Sequence, residues 1–171
     1  MITLKRILVA TDFSDPAEVA VRYGLDIARS YGASLDIVHV IESLPVFYAP
    51  ELGVALMDIE GNIEAAARRD LDAAITDEDR QTVKVLTVIT KATNVASAIT
   101  EYAKTNGIDL IIVGTHGRGA VSRLLMGSVA ERVLRMAPCP VLSVHAAERD
   151  GLPPPDSGDQ GSQAVPPAHS A

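Results

Sequence analysis

The sequence has no tryptophan and a single cysteine, Cys139. A lone cysteine forms no internal disulfide, which fits a reducing compartment and leaves the fold to packing alone. Aromatic residues are scarce at 4%, so the core must come from Val, Ile, Leu and Ala. That is the composition of a buried parallel sheet covered by helices. Positive charge is also in deficit: 15 Lys and Arg stand against 22 Asp and Glu, a net charge of −7. That sign repels a nucleic-acid backbone, so DNA and RNA are not expected as partners. Any anion must be held by a local site. The opening stretch from Met1 carries two basic residues and a short apolar run stopped by Asp12. It is too short for a signal peptide or a membrane span, and a cytoplasmic protein is expected.

Several chemical signatures are missing as well. No Gly-x-x-x-x-Gly-Lys-Ser/Thr occurs, and no Gly-x-Gly-x-x-Gly, which sets aside the P-loop and the dinucleotide fingerprint. The four histidines, 39, 116, 145 and 169, lack metal-ligand spacing, so no protein zinc site is expected. No Ser-His-Asp arrangement or carboxylate pair stands out. Cys139 sits between two prolines with nothing nearby to lower its thiol pKa, and reads as structural.

What is present is 171 residues with 47% hydrophobic content, enough for one globular domain. Ile7-Leu8-Val9-Ala10 reads as a buried strand. Asp15 is a candidate cap, Pro16 fits the first helical position, and Glu18 could close a capping box. Ala20, Tyr23, Ile27 and Tyr31 then share a helical face, and Gly32 stops the helix. The pattern continues with a strand over 34–41, an irregular stretch over 42–53, a helix over 57–76 and a strand over 82–89. Asn94 caps a helix through Lys104, Gly107 closes it, and a fourth strand covers 109–113. A helix begins near Ser128, Pro138 and Pro140 stop it, and Val141 to Val144 form the last strand. Strands alternating with helices imply an α/β fold with a parallel sheet and right-handed crossovers. Residues 1–146 form the domain. Residues 151–171 hold half of the ten prolines, and 147–171 is expected to be a disordered tail.

The most specific pattern is Gly114-Thr115-His116-Gly117, nine residues, then Gly127-Ser128. The first glycine pair follows the apolar run Leu110-Ile111-Ile112-Val113, and Gly127-Ser128 opens a helix. Backbone amides in such a loop and helix start can surround a polyphosphate. Single glycines of this kind are common in plain turns; the combined spacing is the signal.

This pattern matches the glycine signature of the universal stress protein family, which the chain resembles over about residues 3–145. Ile7 to Ser14, His39-Val40-Ile41 and Pro138 to Leu142 resemble the family's first strand and loop, second strand end and last strand. The resemblance implies a single-domain open parallel five-stranded sheet, helices on both faces, order 3-2-1-4-5, like the adenine nucleotide alpha hydrolases. It implies ATP as ligand, with Mg or Mn held through the phosphates. Ala10, Thr11 and Asp12 would lie against the adenosine, Val40 would offer backbone groups to adenine, and Gly114 would lie near the ribose. Gly117, Gly127, Ser128 and Val129 would contact phosphates. His116 and Arg118 are further candidates in the loop. The resemblance also implies a homodimer through Val141, Leu142, Ser143 and Val144, an apolar edge suited to pairing.

Rival readings stand beside these. Asp12 could cap a turn, His39 could be a packed or hydrogen-bonded strand residue, and His116 could face solvent. Arg118 and Arg123 could be surface residues, and Met126 core filling. The loop has no lysine, so binding without fast turnover is the simpler expectation. An ATPase or adenylyl-transferring enzyme, or a nucleotide-free dimeric interaction protein, are the alternatives.

Overall fold

The computed structural model describes residues 2–43, 53–115 and 127–145, with side chains of the second segment described from residue 60 onward. The expected tail at 147–171 and, of the irregular stretch expected over 42–53, residues 44–52 therefore lie outside the described residues.

Five strands form one parallel sheet: β1 (Arg6–Ala10), β2 (Ser34–Glu42), β3 (Val85–Ala92), β4 (Leu110–Gly114) and β5 (Val141–Val144). Their spatial order is β3-β2-β1-β4-β5 and every pairing is parallel. The continuous apolar runs fit a parallel sheet covered on both faces: Ile7, Leu8, Val9, Ile111 and Ile112 are fully buried. Among the described residues five helices connect and cover the strands: α1 (Asp15–Tyr31), α2 (Gly53–Ala73), α3 (Asp77–Thr82), α4 (Val95–Thr105) and α5 (Ser128–Met136). One core layer joins Ile7, Val9, Leu35, Ile37 and Ile112 to Leu25 of α1 and Leu71 of α2. The other joins Leu8, Val38, Ile111 and Val113 to Ile99 of α4 and Val133 of α5. The chain thus winds helices onto both faces, and β1 lies where the winding changes direction.

Helix α1 departs from the sequence reading in two respects. Its cap is Ser14, not Asp15, and no side chain closes the cap. The Ser14 hydroxyl instead donates to Asp12 Oδ1 at 2.5 Å. Its buried face is Ala17, Ala20, Val21, Gly24, Leu25 and Ala28, whereas Tyr23 and Tyr31 are about half exposed. Small residues face the sheet because the helix lies very close to it. A Cβ on Gly24 would sit 2.5 Å from Val9 Cγ2.

The second departure lies between α2 and β3. The helix expected over 57–76 ends at Ala73, and Thr82 closes a separate six-residue helix, α3, instead of opening the third strand. Thr76 caps α3: its hydroxyl accepts the Asp79 amide at 3.1 Å, and Asp79 accepts the Thr76 amide at 2.9 Å. Arg29 of α1 also pairs with Asp79. The Thr76 hydroxyl and amide, aided by Arg29, hold the Asp79 carboxyl below its ordinary pKa. Its folded pKa is depressed, so its contribution is present above about pH 4, the unfolded value, and fades as pH falls through the folded value. Asp79→Ala is expected to cost about 1 kcal/mol near neutral pH, as loss of a cap does. Urea melts at pH 7 and pH 3 should show that difference shrinking at the lower pH.

Candidate functional site

The sheet has a notch at the carboxyl end of β1. β1 ends at Ala10, paired with Val38, but β2 and β3 run on together to Glu42 and Ala92. Across β1, β4 ends at Gly114, paired with Val144 of β5. Ligands of open α/β sheets sit in this position, beyond the carboxyl ends of strands where the winding reverses.

One wall of the notch is the loop Thr11 to Ser14. The buried Thr11 donates its amide to the Val38 carbonyl at 3.0 Å, and its hydroxyl accepts the Phe13 amide at 3.1 Å. Asp12 Oδ1 accepts from both the amide and the hydroxyl of Ser14. The turn-capping role weighed for Asp12 is therefore present, and it holds the carboxylate at the notch. Phe13 has φ +62, a left-handed conformation uncommon for a non-glycine residue. Its ring lies 4.5 Å from that of His39, and His39 Nδ1 lies 2.9 Å from the Thr11 carbonyl oxygen. His39 is thus a packed, hydrogen-bonded strand residue.

A second wall is β2. In a parallel ladder, alternate residues turn both main-chain groups to the same neighbour. Val38 meets Thr11 of the β1 loop, so Val40 presents its amide and carbonyl on that same side, above the end of β1. The Val40 side chain belongs to the core layer on the α4–α5 face, against which Ala10, Val88, Ala92 and Val95 also pack. The last three come from the β3–α4 region, where no motif drew attention to them.

The third wall is the start of α5. Glu131 gives the first helical bond, its amide reaching the Gly127 carbonyl at 3.0 Å. The amides of Ser128, Val129 and Ala130 therefore have no acceptor within the helix, and the positive end of the helix dipole lies with them. Ser128 and Val129 are exposed. Gly127 stands just before these open amides. Its amide is taken by the Thr115 carbonyl at 2.6 Å, so the open donors begin one residue later. The buried Thr115 also receives support from β5, its amide donating to the Val144 carbonyl at 2.8 Å and its hydroxyl lying 2.8 Å from His145 Nδ1. Sequence reasoning missed Thr115, since a lone threonine between glycines carries no periodic signal.

Gly114 needs its missing side chain, though the nearest atoms belong to α1. A Cβ there would stand 2.9 Å from the Pro16 carbonyl carbon and 3.0 Å from the Ala17 nitrogen. His116, Gly117, Arg118, Arg123 and Met126 lie outside the described residues. Burial, with the Asp109 charge adding to it, pushes the Cys139 thiol pKa up, which suits a structural role. A separate groove of about 640 Å³ runs between α1 and the α2–α3 corner. It shares Thr11 and Phe13 with the notch, but its remaining lining comes from α1, α2, Ala74, Thr76 and Asp79.

The fold and this notch define an open, doubly wound α/β protein with a gap in its sheet beyond β1. Residues 3–145 match the model of the universal stress protein family, and the chain belongs to that family. A curated relative, Universal stress protein A homolog 1 of Coxiella burnetii, is 38% identical over 147 residues, covering 84% of this chain and 98% of that protein. The solved universal stress protein UspA from Lactobacillus plantarum superimposes with a TM-score of 0.74 at 28% identity, covering 84% of this chain and 99% of that one. A universal stress protein solved in complex with cAMP aligns with a TM-score of 0.61 at 25% identity, covering 85% of this chain and all of the other. No helix among the described residues is long and apolar enough to cross a membrane.

Proposed function

We propose that this chain binds ATP in the notch above β1 and acts as a nucleotide-dependent module of the stress response or of signalling. The observation that carries the reading is the convergence of two sets of open main-chain groups. The α5 start offers the amides of Ser128 to Ala130 to phosphate, and β2 offers the Val40 amide and carbonyl to the adenine edge. Asp12 would meet the ribose hydroxyls between them, beside the main chain of Ala10 and Thr11. Gly117, His116 and Arg118 would complete the phosphate site from the loop. Main-chain donors explain how a chain of net charge −7 would hold a polyanion. Among the described residues no group of three His, Cys, Asp or Glu is placed to hold a metal, so a Mg or Mn ion would ride on the phosphates. Among the described residues nothing at the notch resembles a positioned base with strong cationic charge, and the glycine loop has no lysine, so binding with at most slow hydrolysis is proposed. β5 is an edge strand, which supports a homodimer paired through Val141 to Val144. The cytoplasm is the proposed compartment.

The relative solved with cAMP supports the adenine part of the reading and makes a cyclic nucleotide the natural competitor. Mass spectrometry of the small molecule released on gentle denaturation, followed by calorimetric titration with ATP and cAMP, separates the two. Ser128→Pro is the sharper variant. Proline suits the first helical position, and Gly127 at ψ 142 has the extended backbone that a following proline requires. The substitution removes two phosphate donors, the Ser128 amide and hydroxyl, and leaves the helix intact. ATP affinity should fall by about tenfold to a hundredfold or more, since one hydrogen bond to a charged group alone carries that weight. Unchanged affinity would remove the α5 start from the site.

A further inference from the structure

We propose that His39 is a positioning residue that keeps the Val40 amide open for the ring of an adenine base; this rests on the adenine-nucleotide reading above. The argument starts from ladder geometry. The Thr11 amide donates to the Val38 carbonyl. The next rung of a parallel ladder would carry the Val40 amide to the Thr11 carbonyl, extending β1 by one residue and closing the notch. That rung is not made. β1 stops at Ala10, and the Thr11 carbonyl oxygen lies instead 2.9 Å from His39 Nδ1. A carbonyl oxygen only accepts, so Nδ1 carries the proton, in the neutral and the charged ring alike. The ring also lies 4.5 Å from that of Phe13, the residue at φ +62 that turns the chain away from the sheet. Among the described residues the Val40 amide has no partner on the β1 side. His39 therefore does for Thr11 what Val40 would otherwise do, and it frees a main-chain donor of the kind a ring nitrogen of adenine accepts.

The test crosses protein variants with an edited ligand in the full chain. ATP and 1-deaza-ATP, which lacks the ring N1 acceptor, are titrated calorimetrically into wild type, His39→Leu and His39→Asn. Asn places an amide donor where Nδ1 stands but cannot stack on Phe13. In wild type, ATP should bind about tenfold tighter than 1-deaza-ATP, the weight of one hydrogen bond. In His39→Leu that preference should vanish, with ATP weakened toward the 1-deaza value. In His39→Asn most of the preference should return, a rescue that a purely packing role would not give. Circular dichroism checks the fold of each variant; if His39→Leu does not fold, the Asn variant and the wild-type ligand pair still decide. A wild type that binds ATP with no preference over 1-deaza-ATP, or a His39→Leu variant that keeps the preference, overturns the positioning role alone. A wild type that binds neither ligand overturns the adenine-nucleotide reading, and this role with it.

Discussion

Asp36→Ala is expected to destabilise the protein by about 3 kcal/mol, since removing one partner of a buried ion pair strands the other. Asp36 is 2% exposed on the α4 face of β2, an unusual place for a carboxylate. Its Oδ2 is held three ways: by Arg6 Nε at 2.9 Å, by Arg6 Nη2 at 2.7 Å and by the Tyr102 hydroxyl at 2.9 Å. Arg6 also reaches the Asn106 carbonyl at 3.2 Å, tying β1, β2 and the end of α4 together at the amino edge of the sheet. The Arg6 side chain is 32% exposed and could turn to water, which keeps the cost below that of a fully buried pair. Thermal melts should show a fall of roughly 6–12 °C for a domain of this size. Asp36→Asn, which keeps an acceptor but loses the charge, should fall between. ATP affinity should be unchanged, since the network lies at the end of the sheet opposite the notch. A melting point equal to wild type for Asp36→Ala would show that the network contributes nothing.

The same network has an alkaline signature. Burial, reinforced by the Asp36 charge, pushes the Tyr102 pKa up to about 12 from 10.0, and hydrogen bonding to Asp36 also raises that of Arg6. A raised folded pKa means that the stabilisation is complete below the unfolded value near pH 10 and is lost as pH rises toward 12. Wild type should therefore lose stability between those values more steeply than Tyr102→Phe.

Much of this architecture was legible because a buried parallel sheet writes itself as short apolar or β-branched runs alternating with helical spacing; those runs marked the five strands, while their order came from the family resemblance. The misreadings have identifiable causes. Asp77 to Thr82 is polar on every side and only six residues long, so no apolar period revealed α3, and the β-branched Thr82 was drawn into the strand. The Thr76-x-x-Asp79 capping spacing was the available signal. Tyr23 and Tyr31 share a helical face with Ala20 and Ile27 by spacing, yet both are about half exposed. The close approach of α1 to the sheet selects Ala and Gly on the buried face, pushing the tyrosines outward. At the notch, the glycine spacing located the α5 start correctly. Which amide is open and which is spent was not legible, because it depends on Thr115, a contact made only after β4 and α5 have come together.

Gly114→Ala should lower both stability and ATP affinity, and the pairing of those effects identifies why the glycine is there. The added methyl would meet the Pro16 carbonyl carbon at 2.9 Å, with the Ala17 nitrogen and Pro16 Cβ each at 3.0 Å. Main chain and a proline ring cannot swing aside as a flexible side chain would, so the first turn of α1 must shift. Overpacking of this kind costs about 1–3 kcal/mol. The shift would be transmitted through Ser14 to the loop that holds Asp12 and the strained Phe13, so an altered notch and weaker binding follow from a change that touches no ligand. Ser128→Pro makes the contrast: there affinity should fall while the melting point holds. The two variants, melted and titrated side by side, separate a glycine needed for helix packing from one needed for close approach of a ribose. Lost affinity in Gly114→Ala at an unaltered melting temperature would favour the ribose, and would mean that α1 has room that the Pro16 contact denies.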